Sequence, residues 1–226
     1  MEKLGDFELN KILCIDALKL LKKLPDKSID LVLTDPPYGI GMTSDGFGGS
    51  KNADKTEYIK NDNWDNKVPE KEVFDEILRV GKKVIIFGGN YFIDKLPNGS
   101  LHVWDKRCGI TPERTYADGE FIWFSWKEPM RIFRFLWDGF ITDNTKTKIK
   151  EKRFHPTHKP TLLIQELLNK YSEKGYLILD CFVGGEILPC KYPIKNNMID
   201  KRDMERVDRH MRIKHPKSKY IHKEKK

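Results

Sequence analysis

An acid, two prolines and a tyrosine stand together directly after a short apolar segment of the chain. Residues 31–34 read LVLT, and Asp35, Pro36, Pro37 and Tyr38 follow. The apolar and β-branched residues predict a buried strand. The prolines end that strand because they lack an N–H donor and fix φ. Ligands of open α/β sheets bind at the carboxyl ends of the strands, so this acid and this ring are predicted to lie at a ligand site.

The chemistry that these residues suit is the activation of an amino group on a nucleobase. The lone pair of such a nitrogen is delocalised into the ring, which makes the nitrogen a poor nucleophile. The Asp35 carboxylate and the Pro36 carbonyl, accepting its two N–H bonds, would draw it towards tetrahedral geometry. The Tyr38 ring offers a face on which a base rotated out of the stack can lie. The simpler interpretation is an Asp-Pro-Pro turn that closes a strand.

The motif resembles that of the amino-methyltransferases, which carry Asp-Pro-Pro-Tyr and move a methyl group from S-adenosylmethionine to adenine N6 or cytosine N4. The resemblance extends over about residues 10–185. Residues 176–185 read YLILDCFVGG, a buried strand with an acid and a glycine turn that resembles the cofactor loop of these enzymes. Because the Asp35 motif comes first, the order resembles that of the β-class DNA enzymes. The resemblance implies an α/β, Rossmann-like S-adenosylmethionine-dependent methyltransferase fold with permuted motif order and a mostly parallel sheet.

The resemblance also implies a set of cofactor-binding residues. Residues 155–160 read HPTHKP, which matches a His-Pro-Thr-x-Lys-Pro element of the family and precedes a predicted helix whose first amides suit a carboxylate. No third ligand accompanies the two histidines at a useful spacing, so no metal site is predicted. Asp16 has a second interpretation as a helix N-cap. The implied cofactor residues are Asp16, Asp35, His158, Lys159, Asp180, Phe182, Gly184 and Asp200.

The chain departs from the family pattern after Gly185. Residues 186–193 read EILPCKYP, where the family continues with a long helix. Two prolines four residues apart cannot both lie inside one helix, since each interior proline costs about 3 kcal/mol. The cofactor half therefore lacks its usual cover. Either a partner subunit supplies that cover or the affinity for the cofactor is low.

The expected substrate contacts come from several segments. Asn90 and Tyr91 follow a strand and correspond to residues beside the target base in the family, although a plain strand-to-helix turn is the simpler interpretation. Residues 39–63 are rich in glycine and lysine and predict either a loop that closes over the base or a disordered insertion. Aromatic residues are dense over residues 121–140 and are interpreted mostly as core, with arginines between them that suit nucleic acid. The predicted substrate-binding residues are Pro37, Tyr38, Asn90, Tyr91, Arg107 and Arg131.

Alternating strands and helices are predicted to position these residues. The apolar spacing indicates strands at residues 12–15, 31–34, 83–87, 101–104, 121–126 and 176–180, and helices at residues 18–24, at 69–80 and after Pro160. We expect one methyltransferase domain over residues 1–200, with a short target-recognition region at about residues 105–155. Residues 201–226 hold eleven Lys or Arg and four Asp or Glu, which predicts a basic tail outside the sheet.

The composition fits a protein that binds a polyanion. The net charge is +8 and the pI is about 9.1, but most of the excess charge lies in residues 201–226. No run of eighteen apolar residues is present, and the four cysteines are scattered, so we expect a cytoplasmic protein that does not enter a membrane.

The leading hypothesis is a DNA adenine-N6 methyltransferase that acts on double-stranded DNA with S-adenosylmethionine as its cofactor. Adenine is favoured by the aspartate at the head of the motif, because cytosine-N4 enzymes of this kind more often carry serine there. The alternatives are a cytosine-N4 methyltransferase and a degenerate, non-catalytic relative that binds DNA. The resemblance is also compatible with a homodimer and with a cognate restriction endonuclease.

Overall fold

The structure is a computed structural model that describes residues 3–9, 11–41, 65–109, 117–138, 141–142, 159–182 and 210–214. Its helices are α1 (Ala17–Leu21), α2 (Lys71–Val80) and α3 (Thr161–Tyr171), with a short 3-10 turn over Gly89–Phe92. Its strands are β1 (Lys3–Leu4), β2 (Phe7–Glu8), β3 (Lys11–Cys14), β4 (Ile29–Thr34), β5 (Gly81–Phe87), β6 (Ser100–Asp105), β7 (Gly119–Phe124), β8 (Ile132–Arg134), β9 (Trp137–Asp138), β10 (Ile141–Thr142), β11 (Ile178–Asp180) and β12 (His210–Lys214).

Eight of these strands form one central sheet in the order β3-β12-β11-β4-β5-β7-β6-β8. The strands from β3 to β5 are all parallel, β7 runs antiparallel to β5 and β6, and β8 is parallel to β6. The predicted α/β fold with a mostly parallel sheet is confirmed. The pairs β1–β2 and β9–β10 form two small antiparallel hairpins apart from this sheet.

Helices cover both faces of the sheet, which explains why its central strands are apolar throughout. In β4, Val32 packs in a cluster with Phe74 and Ile77 of α2. Its neighbours Leu31 and Leu33 belong to the cluster of α3 on the other face. Because side chains alternate along a strand, a strand with helices on both sides needs an apolar run rather than an alternating pattern.

The sheet brings three chain segments to one edge. β4 and β11 are parallel neighbours, with Leu31 opposite Ile178, so their carboxyl ends lie side by side. β7 is antiparallel to β5, with Ile122 opposite Phe87. The amino end of β7 therefore lies at the same edge as the carboxyl ends of β4, β5 and β11, and this edge holds the candidate site.

The prediction of a basic tail outside the sheet is wrong for residues 210–214. These residues form β12, which lies between β3 and β11 and pairs in parallel with both. The sequence His-Met-Arg-Ile-Lys places an apolar residue at every second position, which is the strand period. The many charges of residues 201–226 concealed this alternation. The rest of that predicted tail lies outside the described residues.

The prediction that the aromatic segment is mostly core is confirmed for Trp123, Phe124, Phe133 and Phe135, which are all buried, whereas Phe121 is 40% exposed.

Within the described part of the chain, no helix combines the length and apolar character that crossing a membrane requires.

Candidate active site

The Asp35 carboxyl group lies directly after β4 and is held by two protein groups. The Tyr38 hydroxyl oxygen lies 2.6 Å from its Oδ1, and the Lys159 ammonium donates to its Oδ2 at 2.6 Å. The Asp35 side chain is only 14% exposed, and that of Lys159 is 4% exposed. A carboxylate predicted to receive an amino group is thus already engaged at both oxygens.

Glu120 completes this arrangement from the start of β7. Its Oε1 lies 2.6 Å from the Tyr38 hydroxyl and 3.3 Å from the Lys159 ammonium. Its Oε2 lies 2.8 Å from the ammonium of Lys106. We call Asp35, Tyr38, Glu120, Lys159 and Lys106 the carboxylate cluster, in which two carboxylates share one ammonium and one phenol.

Burial and charge act in opposite directions on the groups of this cluster. Burial raises the pKa of Asp35; the Lys159 ammonium opposes this, and the Glu120 charge adds to it. Burial also acts to raise the pKa of Glu120, but the ammonium groups of Lys159 and Lys106 outweigh it and lower that pKa to about 2. Burial acts to lower the pKa of Lys159, yet the two carboxylates raise it. Glu120 is therefore an anion, and Lys159 is a cation.

Aromatic rings surround the buried ammonium. The Lys159 Nζ lies 5.4 Å from the centre of the Tyr38 ring and 5.3 Å from that of Phe87, within the range of cation–π attraction. The Tyr38 ring in turn stacks on Tyr91, with the ring centres 4.7 Å apart and the planes at 14°. Tyr91 is 38% exposed, so one face of the predicted base platform is covered by a ring that itself reaches the surface.

Gly88 leaves the space that the Tyr38 ring occupies. Its φ of +70° lies in the left-handed region, and a Cβ at this position would stand 2.3 Å from Cε1 of Tyr38. Only glycine avoids both the strained backbone and the clash. The glycine after β5 is thus required by the ring that follows β4.

Asp65 fixes the backbone that follows the two prolines. Its Oδ1 accepts the N–H groups of Tyr38 at 2.7 Å and Gly39 at 3.0 Å. The Asp65 residue is 3% exposed. A buried carboxylate that accepts two backbone donors holds this turn in one conformation, which in turn orients Tyr38.

The ends of β4 and β11 are joined by hydrogen bonds between side chains and backbone. The Thr34 hydroxyl donates to Asp180 Oδ1 at 2.8 Å and accepts the N–H of Cys181 at 3.1 Å. Asp180 Oδ1 also accepts the N–H of Phe182 at 3.1 Å. The predicted cofactor turn therefore begins beside Asp35, and the Thr34 side chain connects the two.

The other predicted site residues are spread around this edge. Asp16 caps α1, because its side chain accepts the N–H of Lys19 at 3.0 Å, and the cap interpretation is confirmed. Asn90 lies with Tyr91 in the 3-10 turn and is exposed. Arg107 is ion-paired with Asp118, and Arg131 is exposed just before β8.

Several predictions fall on other parts of the chain. His158, Gly184 and Asp200 lie outside the described residues, as do residues 42–63 of the predicted loop over residues 39–63 and the departure from the family pattern over residues 186–193. Among the residues that the structure does describe, no three His, Cys, Asp or Glu side chains are grouped as metal ligands. Pro36 is buried and Pro37 is partly buried in the turn itself.

Sequence reasoning missed Glu120 and Lys106 and assigned Lys159 to the cofactor. The available signal for Glu120 was an acid at the start of a strongly apolar strand, FIWF. That acid reaches the site only because β7 is antiparallel to its neighbours, and direction cannot be derived from the apolar pattern. Lys159 lies two residues before the start of α3. The sequence therefore assigned it to the anion site predicted at that helix start, whereas its side chain belongs to the carboxylate cluster.

Comparisons with known proteins find similarity to DNA methyltransferases. Residues 111–186 match the model of the N6/N4 DNA methylases. The type II methyltransferase M.HpaI of Haemophilus parainfluenzae is 26% identical over 221 residues, which cover 80% of this chain and 67% of the relative. The type II methyltransferase M.HinfI of Haemophilus influenzae is 26% identical over 226 residues, which cover 81% of this chain and 61% of the relative. The chain thus spans about two thirds of the length of these relatives.

A solved structure supports the fold. The crystal structure of M1.HpyAVI in complex with SAM aligns with a TM-score of 0.50 at 17% identity, and the alignment covers 93% of this chain and 95% of the other. At this level of identity the likeness concerns the arrangement of helices and strands. It extends over nearly the whole of both chains.

Proposed function

We propose that this chain is an N6/N4 DNA methyltransferase of the β-class and that it transfers a methyl group from S-adenosylmethionine to the N6 amino group of adenine in double-stranded DNA. The observation that carries the proposal is the place of Asp35. Its carboxylate lies at the carboxyl end of β4, beside the end of β11 where the predicted cofactor turn begins. An acceptor for an amino group and a site for a methyl donor would therefore be neighbours.

The described residues fit the cofactor at the end of β11. When bound, S-adenosylmethionine supplies a methyl group made electrophilic by a sulfonium. Asp180 is fully buried, and by accepting the N–H of Phe182 it holds the residues that directly follow β11. M1.HpyAVI, which has the same fold, was crystallised in complex with SAM. We assign the cofactor to this turn and to Asp180 and Phe182 within it.

The target amino group has to replace a donor that Asp35 already holds. Lys159 is the donor that can give way, because its ammonium keeps a second carboxylate, Glu120, at 3.3 Å. Tyr38 is fixed more firmly, since Asp65 holds its backbone N–H. We therefore assign Oδ2 of Asp35, together with the Pro36 carbonyl, to the amino group of the base. Holding the nitrogen in line with the methyl group supplies much of the acceleration.

Lys159 consequently has a role at Asp35 in addition to the cofactor role implied by the family motif. Its side chain is 4% exposed, so the ammonium is enclosed by the protein's own carboxylates. When the base amino group binds, this ammonium would shift towards Glu120 and keep the site's positive charge. The cofactor carboxylate could attract it only after both carboxylates have released it.

DNA is the proposed partner for two physical reasons. The chain carries a net charge of +8, which favours binding to phosphates by the release of counterions. The exposed Tyr91 stacks on Tyr38 near Asp35, where a base rotated out of the duplex would have to enter. An aromatic surface beside a buried acceptor suits one unstacked base.

Transfer of a tritiated methyl group onto mixed DNA, followed by analysis of the nucleosides, tests this proposal. We expect the label in N6-methyladenine. Label in N4-methylcytosine would overturn the choice of adenine and support the cytosine alternative, since Asp35 suits either amino group. DNA binding without label, together with no heat on mixing with millimolar S-adenosylmethionine, would instead indicate a non-catalytic DNA-binding relative.

A further inference from the structure

One hydroxyl in the carboxylate cluster makes two contacts that a single proton cannot satisfy. The Tyr38 oxygen lies 2.6 Å from Oδ1 of Asp35 and 2.6 Å from Oε1 of Glu120. A phenol has one hydrogen and donates one hydrogen bond, while an ionised carboxylate can only accept. Two short oxygen–oxygen contacts therefore require a second proton, held by one of the two carboxyl groups.

The surroundings decide which carboxyl group holds that proton. Glu120 faces two ammonium groups, with Lys106 at 2.8 Å and Lys159 at 3.3 Å, whereas Asp35 contacts one ammonium group among the described residues, that of Lys159. Glu120 is therefore the stronger acid and accepts the phenol hydrogen. Asp35 carries the second proton on Oδ1 and donates it to the Tyr38 oxygen. The directions of the two pKa changes agree, since that of Asp35 is raised by burial and that of Glu120 is lowered to about 2 against its own burial by the two lysines.

On the basis of the proposed function, we propose that Glu120 is a positioning residue for methyl transfer: it turns the Tyr38 hydroxyl away from Asp35, so that Asp35 takes up the proton that the adenine amino group loses. Glu120 does not touch the base. It acts by accepting the hydrogen of the Tyr38 hydroxyl, which fixes the direction of that hydrogen bond, and by retaining its ion pair with Lys159. Asp35 then faces a lone pair of the Tyr38 oxygen, which accepts a hydrogen bond from the protonated form of Asp35. This raises the pKa of Asp35 and makes it a stronger base.

The step is balanced in atoms and electrons. The amino nitrogen bonds to the methyl carbon as the carbon–sulfur bond breaks, and the electron pair of that bond stays on sulfur. The N–H bond then breaks with its pair on nitrogen, and the Asp35 carboxylate takes the proton. The protonated Asp35 is the form that the short contacts indicate, and it loses its proton to water before the next amino group binds.

The charged groups that the structure describes around Asp35 act consistently in this scheme. Tyr38 comes from the same turn, Glu120 from β7 and Lys159 from the segment before α3. Lys106 acts from behind Glu120, and Asp180 on β11 is engaged with Thr34. Replacing Glu120 with Gln removes the anion that adds to the effect of burial in raising the pKa of Asp35, and of the two described carboxyl partners of Lys159 it leaves Asp35. Both changes favour an ionised Asp35.

Titration of the Asp35 carboxyl carbon by nuclear magnetic resonance tests the placement of the proton without requiring activity. The signal is assigned by its loss in Asp35→Asn. We expect Glu120→Gln to move the midpoint of Asp35 to lower pH by about one pH unit, the lower range for the loss of a neighbouring like charge. Glu128→Gln is the matched control, because Glu128 also accepts a tyrosine hydroxyl, that of Tyr171 at 2.7 Å. An Asp35 midpoint that stays in place or rises in Glu120→Gln would overturn the inference.

A second variant keeps the test decisive if Glu120→Gln does not fold. If the Tyr38 oxygen accepts the Asp35 proton, Tyr38→Phe removes that acceptor and lowers the midpoint of Asp35. If Tyr38 instead donates to Asp35, the same variant removes a donor to the carboxylate and raises the midpoint. The sign of the change therefore separates the two arrangements, and a rise would overturn ours.

The pH profile of methyl transfer then tests the use of the proton. We expect the acid limb of kcat in Glu120→Gln to move to lower pH, with a plateau about tenfold lower, an unchanged KM for S-adenosylmethionine and partial recovery in Glu120→Asp. A loss that is equal at all pH values would indicate a merely structural role and overturn the inference. If the wild-type chain transfers no methyl group at any pH, the proposed function fails, whereas the carboxyl titration still gives its answer.

Discussion

The ammonium of Lys159 lies 2.6 Å from Oδ2 of Asp35, across 124 positions of the sequence. This contact occupies the oxygen that the proposed reaction needs. It also stabilises a carboxylate that would otherwise be buried without a counter-charge. Asp35 is therefore held in place by a donor that the substrate must replace, and several measurable consequences depend on that exchange.

Replacing Asp35 with Ala is expected to lower methyl transfer by at least about a hundredfold, because the amino group loses both its acceptor and its base. Tritiated-methyl incorporation measures the loss. Asp94→Ala is the control, since Asp94 is exposed and contacts Lys95 next to it. Activity of Asp35→Ala close to that of Asp94→Ala would show that Asp35 has no part in the reaction.

Replacing Lys159 with Met is expected to destabilise the fold by about 3–5 kcal/mol, because it leaves two buried carboxyl groups without the ammonium donor that they share. Urea unfolding measures this free energy. Lys22→Met serves as control: Lys22 pairs with Glu72 at 2.6 Å, but both side chains are more than half exposed, so no measurable change is expected.

The same cluster predicts a coupling between Lys159 and Glu120. Adding Glu120→Gln to Lys159→Met removes a buried carboxylate that has lost one of its two ammonium partners, so the double variant should be more stable than the sum of the single losses implies. Strict additivity of the two free energies of unfolding would contradict the 3.3 Å contact as a significant interaction.

Replacing Gly88 with Ala is expected to reduce methyl transfer by displacing Tyr38, in addition to a strain of about 1–2 kcal/mol from a left-handed φ. Gly175→Ala separates the two effects. Gly175 has a φ of +89°, but an added Cβ would meet nothing within 4 Å. We expect both variants to lose stability in thermal unfolding, Gly88→Ala more because of the clash with Tyr38, and a loss of activity in Gly88→Ala alone. Equal activities would mean that the Tyr38 ring can move without consequence.

Glu120 predicts a dependence of stability on acid pH. Its pKa is lowered from the usual 4.5 to about 2 by Lys159 and Lys106, against the effect of its burial. A carboxyl group with a lowered pKa in the folded state stabilises the fold above pH 4.5, and this contribution is lost as the pH falls from about 4.5 to about 2. Urea unfolding should therefore show a gap between Asp35→Asn and Asp35→Asn/Glu120→Gln that narrows over this range. The Asp35→Asn background removes the titration of Asp35, and a gap that widens with acid would contradict the ion pairs.

Local patterns in the sequence were enough to predict the strand before Asp35, the cap at Asp16 and the order of the main elements. Each of these depends on residues that are near one another in the chain. The carboxylate cluster does not: Glu120 reaches Asp35 only because β7 reverses direction beside β5. Lys159 arrives from a third segment. β12 was missed for a different reason, since abundant charge concealed an apolar residue at every second position.

The place of β12 in the sheet has a consequence for how the protein is made. β3 spans Lys11–Cys14, and β12, its neighbour in the described sheet, spans His210–Lys214. At about 5–20 residues per second, a ribosome would leave β3 without that neighbour for on the order of ten seconds or more. An early segment that waits so long with its backbone unpaired is a natural client for a chaperone, and long-range pairing of this kind slows folding.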